Sequence, residues 1–332
     1  MKTIVTGGTG FIGSHLVKAL LEKGREVIVA SHQPIIHNLA DLGIKPSEIE
    51  IRQADLTEYP QAVAAIAGGD IIFHLAARVG NLEYLHGNQV AELAGLQTNL
   101  LIDTNVFRAC LEAGVNKLVY ASSCAVYPMN KQFTPGAIFS EDSLDFSQNK
   151  PNTGFSAIDP AGGYGWAKLK AEIELTWMKN VDIGIARLFN IYGENEPLGE
   201  KAHVMADLMC KAILYPHQQF IVQGNGKQSR DFLYVSDCVE ALMRLEQKAS
   251  SPPLTVNIGS GETVSIGTIA EKIVALSGKA RDIRYDLDKQ SGPISRTADI
   301  TRARTCLGWQ PEVSLDDGLK RTYIWLEKRI SK

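Results

Sequence analysis

The run Ile4-Val5-Thr6-Gly7-Gly8-Thr9-Gly10-Phe11-Ile12-Gly13, near the amino end of the 332-residue chain, decides the fold. Apolar residues lead straight into three spaced glycines, and Phe11 to Glu22 then alternates apolar and polar residues at helical spacing. A strand, a glycine turn and a helix in that order predict a dinucleotide site, because each glycine has a separate task. Gly7 makes a tight turn, Gly10 lets a pyrophosphate approach the backbone, and Gly13 lets the helix pack closely on the strand. The phosphates would rest on the helix N-terminus, where unpaired N–H groups and the helix dipole favour negative charge.

Working outward, strand-like runs near residues 27–30, 49–51, 71–75, 118–122 and 183–189 alternate with amphipathic helical stretches. That alternation predicts an α/β fold with a Rossmann-like, doubly wound parallel sheet and ligands at the carboxyl ends of its strands. After Gly193 the pattern loosens into Gly, Asn, Gln and Pro-rich loops joined to helices near 204–214, 237–247, 266–276 and 315–328. This reads as a smaller C-terminal substrate-binding lobe. The expected dinucleotide-binding domain takes residues 1–180 with a return near 230–260, and the lobe takes 181–229 and 261–332. The polar stretch 129–163 reads as a long loop near the site, either a determinant of specificity or plain surface.

Charged residues make up 21% of the chain and the formal net charge is −3, which suggests neither a nucleic acid nor an anionic membrane as partner. There is no charged-then-apolar leader and no apolar run of membrane-spanning length, so a cytoplasmic protein is expected. Cys110, Cys124, Cys210, Cys238 and Cys306 are odd in number and lack C-x-x-C spacing, which argues against a disulfide framework and a zinc site. No metal is expected, and only Cys124 lies where chemistry could use it.

Tyr164 and Lys168 stand four apart in a predicted helix and therefore share a face. The expectation is that the Lys168 ammonium sits beside the Tyr164 phenol and lowers its pKa, so that the tyrosine can move protons near neutral pH.

In order along the chain these motifs are joined by Asp55-Leu56, by His74-Leu75-Ala76-Ala77 and by Ala121-Ser122-Ser123-Cys124-Ala125-Val126-Tyr127-Pro128. Arg187-Leu188-Phe189-Asn190-Ile191-Tyr192-Gly193 and Arg230-Asp231-Phe232-Leu233-Tyr234-Val235 follow. As a set they resemble the extended short-chain dehydrogenase/reductase family, which holds nucleotide-sugar epimerases, dehydratases, decarboxylases and reductases. The resemblance covers essentially the whole chain. It implies that Gly7, Gly10, Phe11, Ile12, Gly13, Ser31, Asp55, Leu56, Leu75, Ala76 and Ala77 line the cofactor together with Tyr164 and Lys168. Relatives that bind NAD carry an acidic residue where Ser31 stands, so NADP stays open, with His32 as a contributor. No arginine stands nearby to clamp the extra phosphate, and NAD is the expected cofactor.

The resemblance also implies that Ser123 hydrogen-bonds the sugar oxygen being oxidised, that Tyr164 takes its proton, and that Lys168 holds the nicotinamide ribose. The dehydratases follow this serine with an Asp-Glu pair and the uronate decarboxylases place a glutamate before Val-Tyr. Here those positions hold Cys124 and Ala125, which argues against both reactions. A 4-epimerase needs no additional base, because the 4-keto sugar only rotates and takes its hydride back on the other face. An NDP-hexose or NDP-uronate 4-epimerase is therefore the expected function.

Features similar to GDP-mannose 3,5-epimerase and GDP-fucose synthase support an alternative, a C3/C5 epimerase; an NADP-dependent keto-sugar reductase is another. Those enzymes use a cysteine two places before the tyrosine of Tyr-Pro as a base, with a lysine or histidine as acid. Here that place is Ala125, and the cysteine is displaced to Cys124, where strand alternation would turn it into the core. Lys201 is the candidate acid, or equally a solvated lysine. Asn190, Arg230 and Arg296 match positions that bind the nucleotide sugar's diphosphate and nearby groups, although Arg230 has an alternative use in an ion pair with Asp231. Relatives dimerise through two helices, here near 98–113 and 164–179, so a homodimer is expected. The sugar and the nucleotide base are left open.

Overall fold

Short runs of Ile and Val build one seven-stranded sheet: β1 (Lys2–Thr6), β2 (Glu26–Ser31), β3 (Glu50–Gln53), β4 (Ile71–His74), β5 (Lys117–Ser123), β6 (Asp182–Leu188) and β7 (Leu254–Ile258). A computed structural model describes residues 1–34, 36–144, 160–279, 282–288 and 292–330. The strands are parallel and ordered β7-β6-β5-β4-β1-β2-β3. They are apolar on both sides because helices cover both faces. On one face Leu16, Val17 and Leu20 of α1 (Phe11–Glu22) join Val5, Phe73 and Val119. On the other, Val106, Phe107 and Cys110 of α2 (Gln89–Ala113) and Ala171 and Leu175 of α3 (Gly162–Trp177) join Ile4, Ile72 and Leu118. The Asn88 side chain accepts the Ala91 N–H to start α2, and Gly114, at φ +66°, ends it in the left-handed region that suits glycine. Strand order reverses between β1 and β4, so a crevice opens at the carboxyl ends of these two strands.

The lobe has its own core of Met205, Leu208, Met209, Phe220, Ile269, Ile273, Leu319 and Leu326. A small sheet lies beside it in the order Val264–Ser265, Ser229–Arg230, Ser295–Ala298, Ile138–Phe139. Two expectations change here. β6 lies inside the main sheet between β5 and β7, so a boundary at residue 180 cuts the sheet, and the return near 230–260 consists of helix Val235–Lys248 and β7, while Arg230 belongs to the small sheet. The stretch 129–144 is not a plain loop. It forms helix Met129–Gln132, the edge strand Ile138–Phe139 and the 3-10 turn Glu141–Leu144, while 145–159 lie outside the described residues. Polar composition hid these pieces because two-residue strands carry no periodicity. Among the described residues no helix is long and apolar enough to cross a membrane, and no cluster of three or more metal-ligating side chains occurs.

Candidate active site

At the end of β1 the glycine turn packs backbone on backbone. Gly7 has φ +70°, and a Cβ there would stand 3.0 Å from the Ala76 backbone; a Cβ on Gly13 would stand 2.2 Å from the Gly7 carbonyl oxygen. At Gly10 a Cβ would meet only the Gly7 oxygen, at 3.1 Å, so the mouth of the turn in front of α1 is clear. Ala76 follows β4 between Leu75 and Ala77, and its N–H donates to Thr6 Oγ1 at 3.2 Å. At the far end of the crevice the Ser31 hydroxyl lies 2.8 Å from Thr9 Oγ1. Asp55 accepts the Thr57 hydroxyl at 2.7 Å and the Thr57 N–H at 3.0 Å, which together hold its carboxyl below the usual carboxylate range. His32 lies 3.7 Å from the same carboxylate. Leu56 gives its side chain to the core. A helix N-terminus behind a clear glycine turn, with a carboxylate at the far end, fits a dinucleotide whose ribose carries free hydroxyls.

Ser123 closes β5, and its Oγ accepts the Ala125 N–H at 3.1 Å, capping the 3-10 turn Cys124–Val126. Tyr164, in the first turn of α3, lies near enough to Ser123 for the serine side chain to act on its phenol. The two groups that the resemblance placed together thus lie near each other across 41 residues of chain.

Lys168 departs from expectation. Its ammonium donates to the Ala121 carbonyl at 2.9 Å and lies 4.4 Å from the centre of the Tyr120 ring. Burial pushes the Tyr164 phenol up, against the lowering influence of Ser123, so the lowered pKa expected from Lys168 is absent here. Helical spacing set the shared face, but the long lysine stem carries the charge to the end of β5. Burial also lowers Lys168, while Asp103 and Glu172 act to keep it charged.

Cys124 joins the main core, as expected, although the backbone leaves strand alternation after Ser123 and carries it on a 3-10 turn. It is buried, and its Sγ also lies 3.7 Å from Arg296 Nη1. Arg296 also donates to Gln132 Oε1. Arg230 does not pair with Asp231. Its Nη1 donates to the Ser229 and Pro293 carbonyls, each at 2.7 Å, and burial and then Arg296 lower its pKa to about 10. Asp231 instead accepts from Ser260, Gly261 and Ala298, tying β7's exit to the small sheet. Asn190, at φ +23°, donates to the Asp231 carbonyl at 2.9 Å. Lys201 is exposed, with its ammonium 5.0 Å from the centre of the Tyr84 ring.

Sequence reasoning missed the polar groups beneath these side chains. Glu172 receives Arg187 Nη2 at 2.7 Å, Nε at 3.1 and 3.2 Å, and the Ser122 hydroxyl. His74 lies 3.0 Å from Asp103, which also accepts the Tyr120 hydroxyl at 2.7 Å. The available signal for the latter was an acid directly after the apolar run Leu100-Leu101-Ile102, on a helix that must bury one face.

A family model for the NAD dependent epimerase/dehydratase family matches residues 3–259. A curated relative, GDP-mannose 3,5-epimerase 1 of Oryza sativa subsp. japonica, is 31% identical over all of this chain and 83% of its own length. The solved structure of MoeE5 in complex with UDP-glucuronic acid and NAD superposes with a TM-score of 0.80 at 28% identity, covering 100% of both chains. UDP-glucose 4-epimerase with UDP-glucose from Thermotoga maritima, at 23% identity, shares the fold with a TM-score of 0.81 over 99% of this chain and 100% of its own. With the glycine turn, the Ser123–Tyr164 pair and the sheet order already in place, these matches establish that the chain belongs to the NAD dependent epimerase/dehydratase family.

Proposed function

We propose that this protein is a nucleotide-sugar epimerase that works through a transient keto sugar with tightly held NAD, acting at C4. The observation that carries this reading is the placement of Tyr164 beside Ser123 at the end of β5, near enough for the serine to act on the phenol, with Cys124 and Ala125 where a dehydratase would need carboxylates. Gly7, Gly10, Phe11, Ile12 and Gly13 would hold the pyrophosphate, and Ser31, Asp55 and Leu56 the adenosine end. Leu75, Ala76 and Ala77 would border the middle of the dinucleotide, and Tyr164 and Lys168 the nicotinamide ribose. When bound, NAD supplies a hydride acceptor that can also give the hydride back. Ser123 would orient the sugar hydroxyl, and Tyr164 would take its proton as the phenolate, a form that a positively charged nicotinamide beside it would favour against burial; the phenol so formed would return that proton when the other epimer is made. Arg230 and Arg296, with Asn190 beside them, would receive the diphosphate.

A second reading is favoured by one observation. The contact of Arg296 with Cys124 Sγ holds the thiol beside the reacting groups, where it could enolise a keto sugar in a C3/C5 epimerase. Lys201, its candidate acid partner, stacks on Tyr84 instead. Incubating the purified protein, without added cofactor, with UDP, GDP, CDP and dTDP sugars in heavy water separates the readings. Epimer free of deuterium is expected; deuterium in the sugar would replace C4 chemistry with enolisation, and no epimer from any sugar would overturn both.

The same reading includes a homodimer. Leu93 and Leu101 on α2, and Trp166 and Trp177 on α3, are 53%, 51%, 40% and 73% exposed. Each pair recurs at a spacing that keeps it on one side of its helix, so the two helices would offer an apolar face to a second copy.

A further inference from the structure

Lys168 is buried without a carboxylate in direct contact among the described residues; its nearest recorded neighbours are the Ala121 carbonyl and the Tyr120 ring. An isolated buried ammonium is costly, so its charge must be balanced from further away. Two carboxylates flank it, Glu172 one turn on in α3 and Asp103 in α2. Glu172 is already matched by Arg187 in a fork of three hydrogen bonds. Asp103 has no such cation.

The partners of Asp103 are hydroxyl and imidazole. Tyr120 donates to Oδ2 at 2.7 Å, and His74 Nε2 faces Oδ1 at 3.0 Å. Burial keeps His74 neutral, and the nitrogen facing the carboxylate carries its proton. The other nitrogen, Nδ1, then accepts from Thr6 Oγ1 at 2.7 Å, and Thr6 itself accepts the Ala76 N–H. An unbroken chain therefore runs from the loop after β4 through Thr6, His74 and Asp103 to the tyrosine ring on which Lys168 lies. Its only net charge is on Asp103, which is 1% exposed, and the facing cation is Lys168, 2% exposed.

The other titratable groups on elements packed against α2 are bonded elsewhere: Tyr59 to Glu112, His86 to Glu92 and Lys170 to Thr104. Those facing Asp103 are His74 from β4, Tyr120 from β5 and, from α3, Lys168 with Tyr164 and Glu172 on either side.

We propose that Asp103 is a positioning residue for the reaction: it is the buried counter-ion of Lys168, held ionised by His74 and Tyr120, and it keeps the ammonium charged beneath the dinucleotide. The proposal rests on the reading of Lys168 given above. Without Asp103 the ammonium loses its proton at lower pH, and its grip on the ribose weakens with it.

The test compares Asp103→Asn, Lys168→Met and the double variant, reading dinucleotide retained after purification, the pH profile of turnover and thermal melting. In Asp103→Asn the alkaline limb is expected to move down by about one pH unit, with retained dinucleotide falling on the order of tenfold. In the Lys168→Met background the same change should cost no further dinucleotide, because the two residues act as one unit. An unmoved alkaline limb, or losses that simply add in the double variant, would overturn the proposal and leave Asp103 a structural residue. If Asp103→Asn does not fold, Asp103→Ser removes the carboxylate with a smaller side chain and should move the limb the same way; no movement there also overturns it. Should the wild-type protein turn over no nucleotide sugar, the functional reading fails, while dinucleotide retention still judges Asp103.

Discussion

The sheet and the lobe meet at one site but treat buried charge in opposite ways. On the sheet side, Arg187 is locked to Glu172 by bonds of 2.7 to 3.2 Å, both side chains at most 3% exposed. On the lobe side, Arg296 lies close enough to Arg230 to lower its pKa, and the partners of the two are carbonyls, an amide oxygen and a thiol. Among the described residues neither is paired with a carboxylate. A balanced region is complete by itself. An unbalanced one is built for an anion that arrives later, which is how a diphosphate would gain affinity from residues that add little to folding.

Substitutions can break this contrast. The largest effect is expected from Tyr164→Phe, which removes the proton-moving hydroxyl and should lower turnover by about 10²- to 10⁴-fold while melting stays unchanged. A parallel loss of stability would mean that the sheet side is held together by its catalytic groups. Next comes Glu172→Gln, which leaves the Arg187 cation buried without its partner and should cost about 3–5 kcal/mol by denaturant unfolding.

On the lobe side Arg230→Met should act on binding instead. KM for the nucleotide sugar should rise about 10- to 100-fold with kcat little changed, and unfolding free energy should stay within about 1 kcal/mol of wild type. A loss of stability as large as that of Glu172→Gln would show that the arginine is structural after all.

Two smaller effects sharpen the picture. Because burial disfavours the phenolate of Tyr164, its ultraviolet signature should be missing up to about pH 10 in dinucleotide-free protein, judged by subtracting the Tyr164→Phe titration. A phenolate appearing near neutral pH would return the tyrosine to direct control by Lys168. The smallest effect belongs to Cys124→Ser, where C4 chemistry implies a turnover change of less than about threefold. A collapse of turnover by orders of magnitude would assign the thiol a proton-transfer role and transfer the argument to enolisation.

Read in sequence order, the alternation of apolar runs and amphipathic helices determined a parallel sheet, and the glycine spacing determined which strand end faces the dinucleotide. These are local properties, governed by periodicity and by backbone conformations that only certain residues adopt. Tyr164 and Lys168 were legible as a pair on one helix face because four residues make about one turn, whereas Ser123 was named only through the resemblance of its motif. What the tertiary structure decided was where charges and flexible stems end. Lys168 turned from the Tyr164 phenol to the Ala121 carbonyl, Asp231 bonded to the β7 exit instead of its neighbour Arg230, and Cys124 rotated out of strand register in a 3-10 turn. Asp103 and His74 were visible as letters, but their pairing joins α2 to β4 across the buried face of the sheet. Electrostatic partners are chosen by distance in three dimensions and by what burial leaves unsatisfied, and neither quantity is written in the spacing of residues along a chain.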